Sequence, residues 1–161
     1  MSVDATDAVD VLLVEDNPDD EELMLHSLRS HGGPVAVAAV RDGEEALEYL
    51  RATGRHADRA GRPCPRVILL DIKLPRVDGL EVLAEVKTDA RLRHIPVVLF
   101  TSAGQESEVV RGYKLGANSY VVKPVDFERF EEVVRQLSGY WLRVNRGPET
   151  PVRAPGRPLC R

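Results

Sequence analysis

Four short apolar runs in this chain each stop on a side chain that can do chemistry. Val11 to Val14 ends in Glu15 and Asp16, Arg66 to Leu70 in Asp71, Val97 to Phe100 in Thr101 and Ser102, and Ser119 to Val122 in Lys123 and Pro124. Three carboxylates brought within a few ångströms repel one another and do not all stay ionised unaided. A hard divalent cation resolves that conflict, and Mg²⁺ takes oxygen ligands in an octahedron while keeping several waters. Asp16 and Asp71 are read as direct ligands, Glu15 as a ligand through water, and the backbone carbonyl of Lys73 as a further oxygen. Lys123 adds a point charge and Thr101 a hydroxyl donor. Such a set suits phosphoryl transfer. An aspartate carboxylate, Asp71, would be the nucleophile and form an acyl phosphate, while the cation, Lys123 and Thr101 would each meet one phosphoryl oxygen.

These residues can act together only if the chain gathers them. The runs of Val, Leu and Ile are apolar on both faces, as in strands buried on both sides of a parallel sheet. Between them lie helical patterns. Asn17 suits an N-cap and Pro18 a first helical position, and Gly32-Gly33-Pro34 stops that helix. Val35 to Val40 reads as a second strand, followed by an Asp42-Gly43 turn and a helix with Ala46, Leu47 and Leu50 on one face. Thr53 to Pro65 is polar and rich in breakers, hence a loop of more than usual length. Further helices are expected around Leu80, Leu83, Ala84 and Lys87, over Gln105 to Leu115, and over Asp126 to about Arg143. Five strands alternating with five helices call for an α/β, flavodoxin-like, doubly wound (βα)5 fold with a five-stranded parallel sheet in the order 2-1-3-4-5. In that order the first, third, fourth and fifth strands are neighbours, so the reactive residues converge on one carboxyl edge.

Taken together and in order, "VLLVEDNPDD", "VILLDIKLPRVDG", "VVLFTSA" and "SYVVKPV" resemble the receiver domain of two-component response regulators, over residues 9–143. The resemblance implies that Asp71 is the phosphoacceptor, that Glu15 and Asp16 are the acidic metal pair, and that Thr101 and Lys123 are the switch hydroxyl and the phosphate-binding lysine. It places Tyr120 at the aromatic switch position and implies a cis Lys123-Pro124 bond, an isomer only ~0.5–1 kcal/mol above trans before proline. A finer resemblance rests on the Thr53 to Pro65 loop, "ANSYVVKPVD" and "GYWLRVN". It is to stand-alone receivers partnered with bacterial and cyanobacterial phytochromes. It implies a sensor histidine kinase partner, of the bacteriophytochrome kind, and a homodimer through the face of the fourth helix, fifth strand and fifth helix.

The bulk composition narrows the alternatives. With 161 residues, 43% of them hydrophobic, the chain can bury one sizeable core. A net charge of −4 argues against a nucleic-acid surface over much of the protein. No apolar run approaches the ~20 residues of a membrane helix, and the acidic start "MSVDATDAVD" does not resemble a signal peptide. A cytoplasmic protein is therefore expected. Cys64 and Cys160 are read as reduced surface thiols, and His26, His31, His56 and His94 as surface or loop residues without metal-ligand spacing. Residues 1–8 and the Pro/Arg-rich 144–161 are read as disordered. After Arg143 about eighteen residues remain, too few for a helix-turn-helix module, so output is expected through protein–protein contact or phosphate shuttling. Two rivals stand beside a phosphorylated, non-enzymatic signalling protein. An aspartyl-phosphate phosphohydrolase would have Asp-x-Asp after its strand, but Lys73 occupies the second position. A degenerate receiver acting only as a docking module would not need the full set of acids, hydroxyl and lysine.

Overall fold

The computed structural model describes residues 8–30 and 33–148. The expected disorder of 1–8 and 144–161 falls largely on residues outside this range, as do His31 and Cys160. In chain order the elements are β1 (Val11–Val14), α1 (Pro18–Ser30), β2 (Val37–Val40), α2 (Gly43–Arg51), β3 (Val67–Leu70), α3 (Gly79–Thr88), β4 (Val97–Thr101), α4 (Glu106–Lys114), β5 (Ser119–Val122) and α5 (Phe127–Gly139). The strands form one parallel sheet in the order β2-β1-β3-β4-β5, as expected.

The period-2 alternation of strand side chains sorts the apolar runs between two cores. Leu12, Val14, Ile68, Leu70, Val97 and Leu99 face Ala46 and Leu50 of α2 and Leu80, Leu83 and Val86 of α3. Val11, Leu13, Val67, Leu69, Val98 and Phe100 face Met24 and Leu28 of α1 and Phe130 and Val134 of α5. Every residue of β1, β3 and β4 is buried, which explains why these segments carry no polar residue before their tips. Fully burying one such Leu or Val contributes about 1.5–3 kcal/mol, so the three central strands form a stiff support.

Several boundaries shift from the sequence expectation. β2 begins two residues late because Asp10 takes the preceding segment: its N–H donates to Ala36 O, and its Oδ2 accepts from Ala36 N. The loop from Thr53 to Pro65 contains a 3₁₀ turn, Gly54–Arg59. Arg59 is buried there, stacked 3.5 Å over the Tyr49 ring and donating to the carbonyls of Tyr49 and Pro63. The last helix ends at Gly139 and widens into a π turn, Tyr140–Val144. Leu142 O in that turn accepts from the Arg66 guanidinium at 2.6 Å, tying the end of α5 to the start of β3.

Two other expectations are corrected. Cys64 is not a surface thiol: it is 1% exposed, packs in the core beside α2 and α3, and is disulfide-bonded. The flanking Pro63 and Pro65 suggested a loop, but the segment runs straight into β3, where a small apolar sulfur packs readily. Among the described residues no peptide bond is cis, the one before Pro124 included. The lysine is placed with the ordinary trans preference intact, its N–H donating to Thr101 O at 2.8 Å. His56 and His94 lie in loops, as expected, and are half-buried there; His56 lies 3.1 Å from Glu45 and edge-on to the Tyr49 ring.

The start of α3 closes tightly on the β3 tip. Gly79 N donates to Ile72 O at 2.7 Å, and a Cβ at Gly79 would stand 2.0 Å from Asp71 O. The obstructing atoms are backbone, so they cannot swing aside. Gly79→Ala is expected to destabilise the fold by about 2 kcal/mol or more through overpacking, read as a lowered urea midpoint with an unchanged slope. A wild-type midpoint would show that the helix start is not pressed against the Asp71 strand.

Candidate functional site

Each candidate residue is placed by a strand end or a helix start. Glu15 and Asp16 follow β1. Asn17 then caps α1, its Oδ1 accepting from Asp19 N at 2.9 Å and Asp20 N at 3.2 Å. Asp71 follows β3 and is pinned locally: its N–H donates to Val14 O at 3.1 Å, and its Oδ1 accepts from Ile72 N at 2.7 Å. Thr101 ends β4, is 1% exposed, and accepts from Ala103 N at 3.3 Å through Oγ1. Lys123 follows β5.

The structure brings these ends into one basin. The Lys123 ammonium donates to Glu15 Oε2 at 2.6 Å, Asp20 Oδ2 at 2.9 Å and Asp71 Oδ2 at 3.0 Å. Glu15, Asp16 and Asp71 each offer a carboxylate oxygen within 4.8 Å of the others'. Glu15 and Asp71 are buried, and Asp16 faces solvent at the rim. An all-oxygen donor set, open on one side, fits a hard divalent cation that retains water ligands. When bound, such an ion would neutralise anionic charge at the mouth of the basin.

Lys73 lies exposed in the loop just beyond Asp71. Tyr120 sits half-buried in β5 and donates its hydroxyl to Ala103 O, two residues past Thr101. Burial, then the charges of Glu108 and Asp71, raises its phenol pKa. Asp20 is the member that sequence reasoning missed. Asp19, Asp20 and Glu21 all occupy the first turn of α1, where acids complement the helix dipole anyway. Nothing in their types marks which one turns inward.

The electrostatics follow from burial. Desolvation raises the Glu15 carboxyl to about 7; Asp71 adds to this, and the Lys123 hydrogen bond opposes it. For Lys123, burial acts to lower the pKa, but the hydrogen bonds to Glu15 and Asp20 and the charges of Asp71 and Glu15 outweigh it. The ammonium is held above its ordinary value and stays charged.

A doubly wound sheet with acids and a lysine gathered at its carboxyl edge defines a flavodoxin-like α/β protein whose acidic cluster could hold a metal ion. The chain belongs to the response regulator receiver domain family, whose match spans residues 11–135. It is similar to the probable methanogenesis regulatory protein FilR2 of Methanothrix harundinacea (strain 6Ac), 40% identical over 146 residues, covering 91% of this chain and 92% of that protein. It is also similar to the solved phosphorylated cyanobacterial phytochrome response regulator RcpA, with a TM-score of 0.81, 37% identity, and coverage of 88% of this chain and 99% of RcpA. The bacteriophytochrome response regulator AtBRR is 49% identical with a TM-score of 0.68, covering 86% of this chain and 99% of that one. The protein is thus a receiver of two-component signalling related to phytochrome response regulators, with a histidine kinase as the implied partner. Among the described residues, no helix is long and apolar enough to cross a membrane.

The raised Glu15 pKa has a signed consequence. A carboxyl whose folded value lies above its unfolded 4.5 stabilises the fold most below pH 4.5, and that contribution is lost as pH rises through about 7. Metal-free protein is expected to lose up to about 3 kcal/mol of unfolding free energy across this window from Glu15. Glu15→Gln should flatten the dependence in urea titrations in chelator. A variant whose stability fell as steeply as the wild type's would remove Glu15 as its source.

Proposed function

We propose that Asp71 is the phosphoacceptor of this receiver. A phosphohistidine of a sensor histidine kinase is the donor: an Asp71 carboxylate oxygen attacks phosphorus, the P–N bond breaks, and the imidazole departs. What carries the reading is the Lys123 ammonium 3.0 Å from Asp71 Oδ2, inside a basin whose other acids can hold a cation. We assign that cation as Mg²⁺, with Asp16 and Asp71 as direct ligands, Glu15 through water, and the Lys73 carbonyl as a further oxygen. Lys123 and Thr101 then meet phosphoryl oxygens. The protein catalyses only its own phosphorylation and dephosphorylation. The receiver unit is residues 9–143, and a bacteriophytochrome is the favoured kinase, on the likeness to RcpA and AtBRR.

Output is by contact with protein, not nucleic acid. Phosphorylation adds about −1.5 to −2 charges, Thr101 turns to the new oxygens, and Tyr120 follows. The face that responds carries exposed Val110 and Tyr113 of α4, Val122 of β5 and Phe127 of α5, and we assign it to homodimer formation. The site of action is the cytoplasm, where kinases meet ATP.

Wild-type protein is expected to incorporate phosphate from a histidine kinase or a small phosphodonor only with Mg²⁺, and Asp71→Asn to incorporate none. Equal labelling of the asparagine variant would overturn the assignment. Lys123→Ala is expected to bind Mg²⁺ at least as well as wild type, since a competing cation is gone. It should nevertheless show no phosphodonor-induced change in sedimentation or Tyr and Trp fluorescence. A wild-type response there would strike Lys123 from the switch.

A further inference from the structure

We infer that Asp20 is a positioning residue that holds the Lys123 ammonium in the unmodified protein and must release it before the lysine can meet a phosphoryl oxygen. The inference rests on the phosphoacceptor reading of Asp71 and adds a residue outside the acid–hydroxyl–lysine set. An ammonium has three N–H donors. In this structure all three are taken, by Glu15 at 2.6 Å, Asp20 at 2.9 Å and Asp71 at 3.0 Å. A phosphoryl oxygen can therefore gain a hydrogen bond from Lys123 only by displacing a carboxylate.

The three partners differ in how readily they let go. The Glu15 side chain is 1% exposed, so its Oε2 would be left desolvated, with only the Asn17 N–H on Oε1 remaining at 3.1 Å. Asp71 carries the incoming group itself, at 10% exposure. The Asp20 side chain is 32% exposed and sits on the first turn of α1, so water replaces the ammonium at small expense. Asp20 is the partner that leaves. It also sets a negative charge beside the path of an anionic phosphodonor. Both effects restrain phosphorylation, and both vanish when its charge is removed.

The test compares wild type, Asp20→Asn and Asp19→Asn. Asp19 is exposed on the same helical turn, and no ion pair to Lys123 is made by it, so its variant removes equal charge without the contact. Phosphoramidate in its ammonium form serves as donor: the Asp71 O–P bond forms, the P–N bond breaks, and ammonia leaves without further proton transfer. Asp20→Asn is expected to accept phosphate roughly three- to tenfold faster, with Asp19→Asn within about twofold of wild type. The Mg²⁺ dissociation constant should move less than about twofold in both variants.

An unaccelerated Asp20→Asn, or an Asp19→Asn accelerated equally, overturns the inference. So does a metal affinity that shifts as much as the rate, which would make Asp20 part of the cation site. A second readout needs no phosphorylation. Hydrogen exchange of the Lys123 ammonium, followed by NMR in metal-free protein, should quicken several-fold in Asp20→Asn alone, and unchanged exchange overturns the proposal. Should wild type accept no phosphate, the phosphoacceptor reading falls, and this measurement still decides the Asp20 contact.

Discussion

One ammonium among three carboxylates is the interaction on which the rest of this structure depends. Two unit charges 4 Å apart interact by about 4 kcal/mol at an effective dielectric near 20. Glu15, Asp16 and Asp71 crowd closer than 4.8 Å, and Asp20 adds a fourth negative charge. Lys123 offsets only part of that charge. Burial makes the residue of the imbalance felt as a proton drawn toward Glu15. An acidic surplus in so small a basin fits a hard divalent cation.

A surplus of this kind is tolerable only on a rigid support. Parallel strands buried on both faces supply it, because each backbone is held by two neighbours and each alternate side chain by one of two cores. Asp71 is held from three directions. Its N–H bonds back to β1, its own side chain accepts from Ile72, and the start of α3 presses on its carbonyl through a glycine. The carboxylate is thereby held in place by the sheet and the start of α3.

The parts of this arrangement that were legible in the sequence are those written in periodicity and in strand ends. Apolar runs that stop on Asp, Thr and Lys declare both a strand and its tip, so sheet order and the convergence of Glu15, Asp71 and Lys123 followed together. The parts that were hidden depend on which way a side chain turns. Asp20 is one of three acids in a helix start, and its type would be the same if it faced water. Arg59 sits in a stretch whose composition says loop, yet its guanidinium finds the Tyr49 ring and two carbonyls. Cys64 lies between prolines, and only the approach to β3 reveals that the chain there is already inside. Composition reports the average environment of a segment, whereas these three residues are exceptions within theirs.

A short chain of hydrogen bonds also joins the basin to β5. Lys123 N donates to Thr101 O, Ala103 N donates to Thr101 Oγ1, and the Tyr120 hydroxyl donates to Ala103 O. Thr101 Oγ1 and the Tyr120 hydroxyl thus both bond to Ala103, the one through its N–H and the other through its carbonyl. Gly112 of α4 lies close to the Tyr120 ring: a Cβ there would stand 2.8 Å from Leu99 Cδ1 and 3.3 Å from Tyr120 Cδ2. Thr101 and Tyr120 therefore share one turn residue, and close packing around it ties the position of each side chain to that turn.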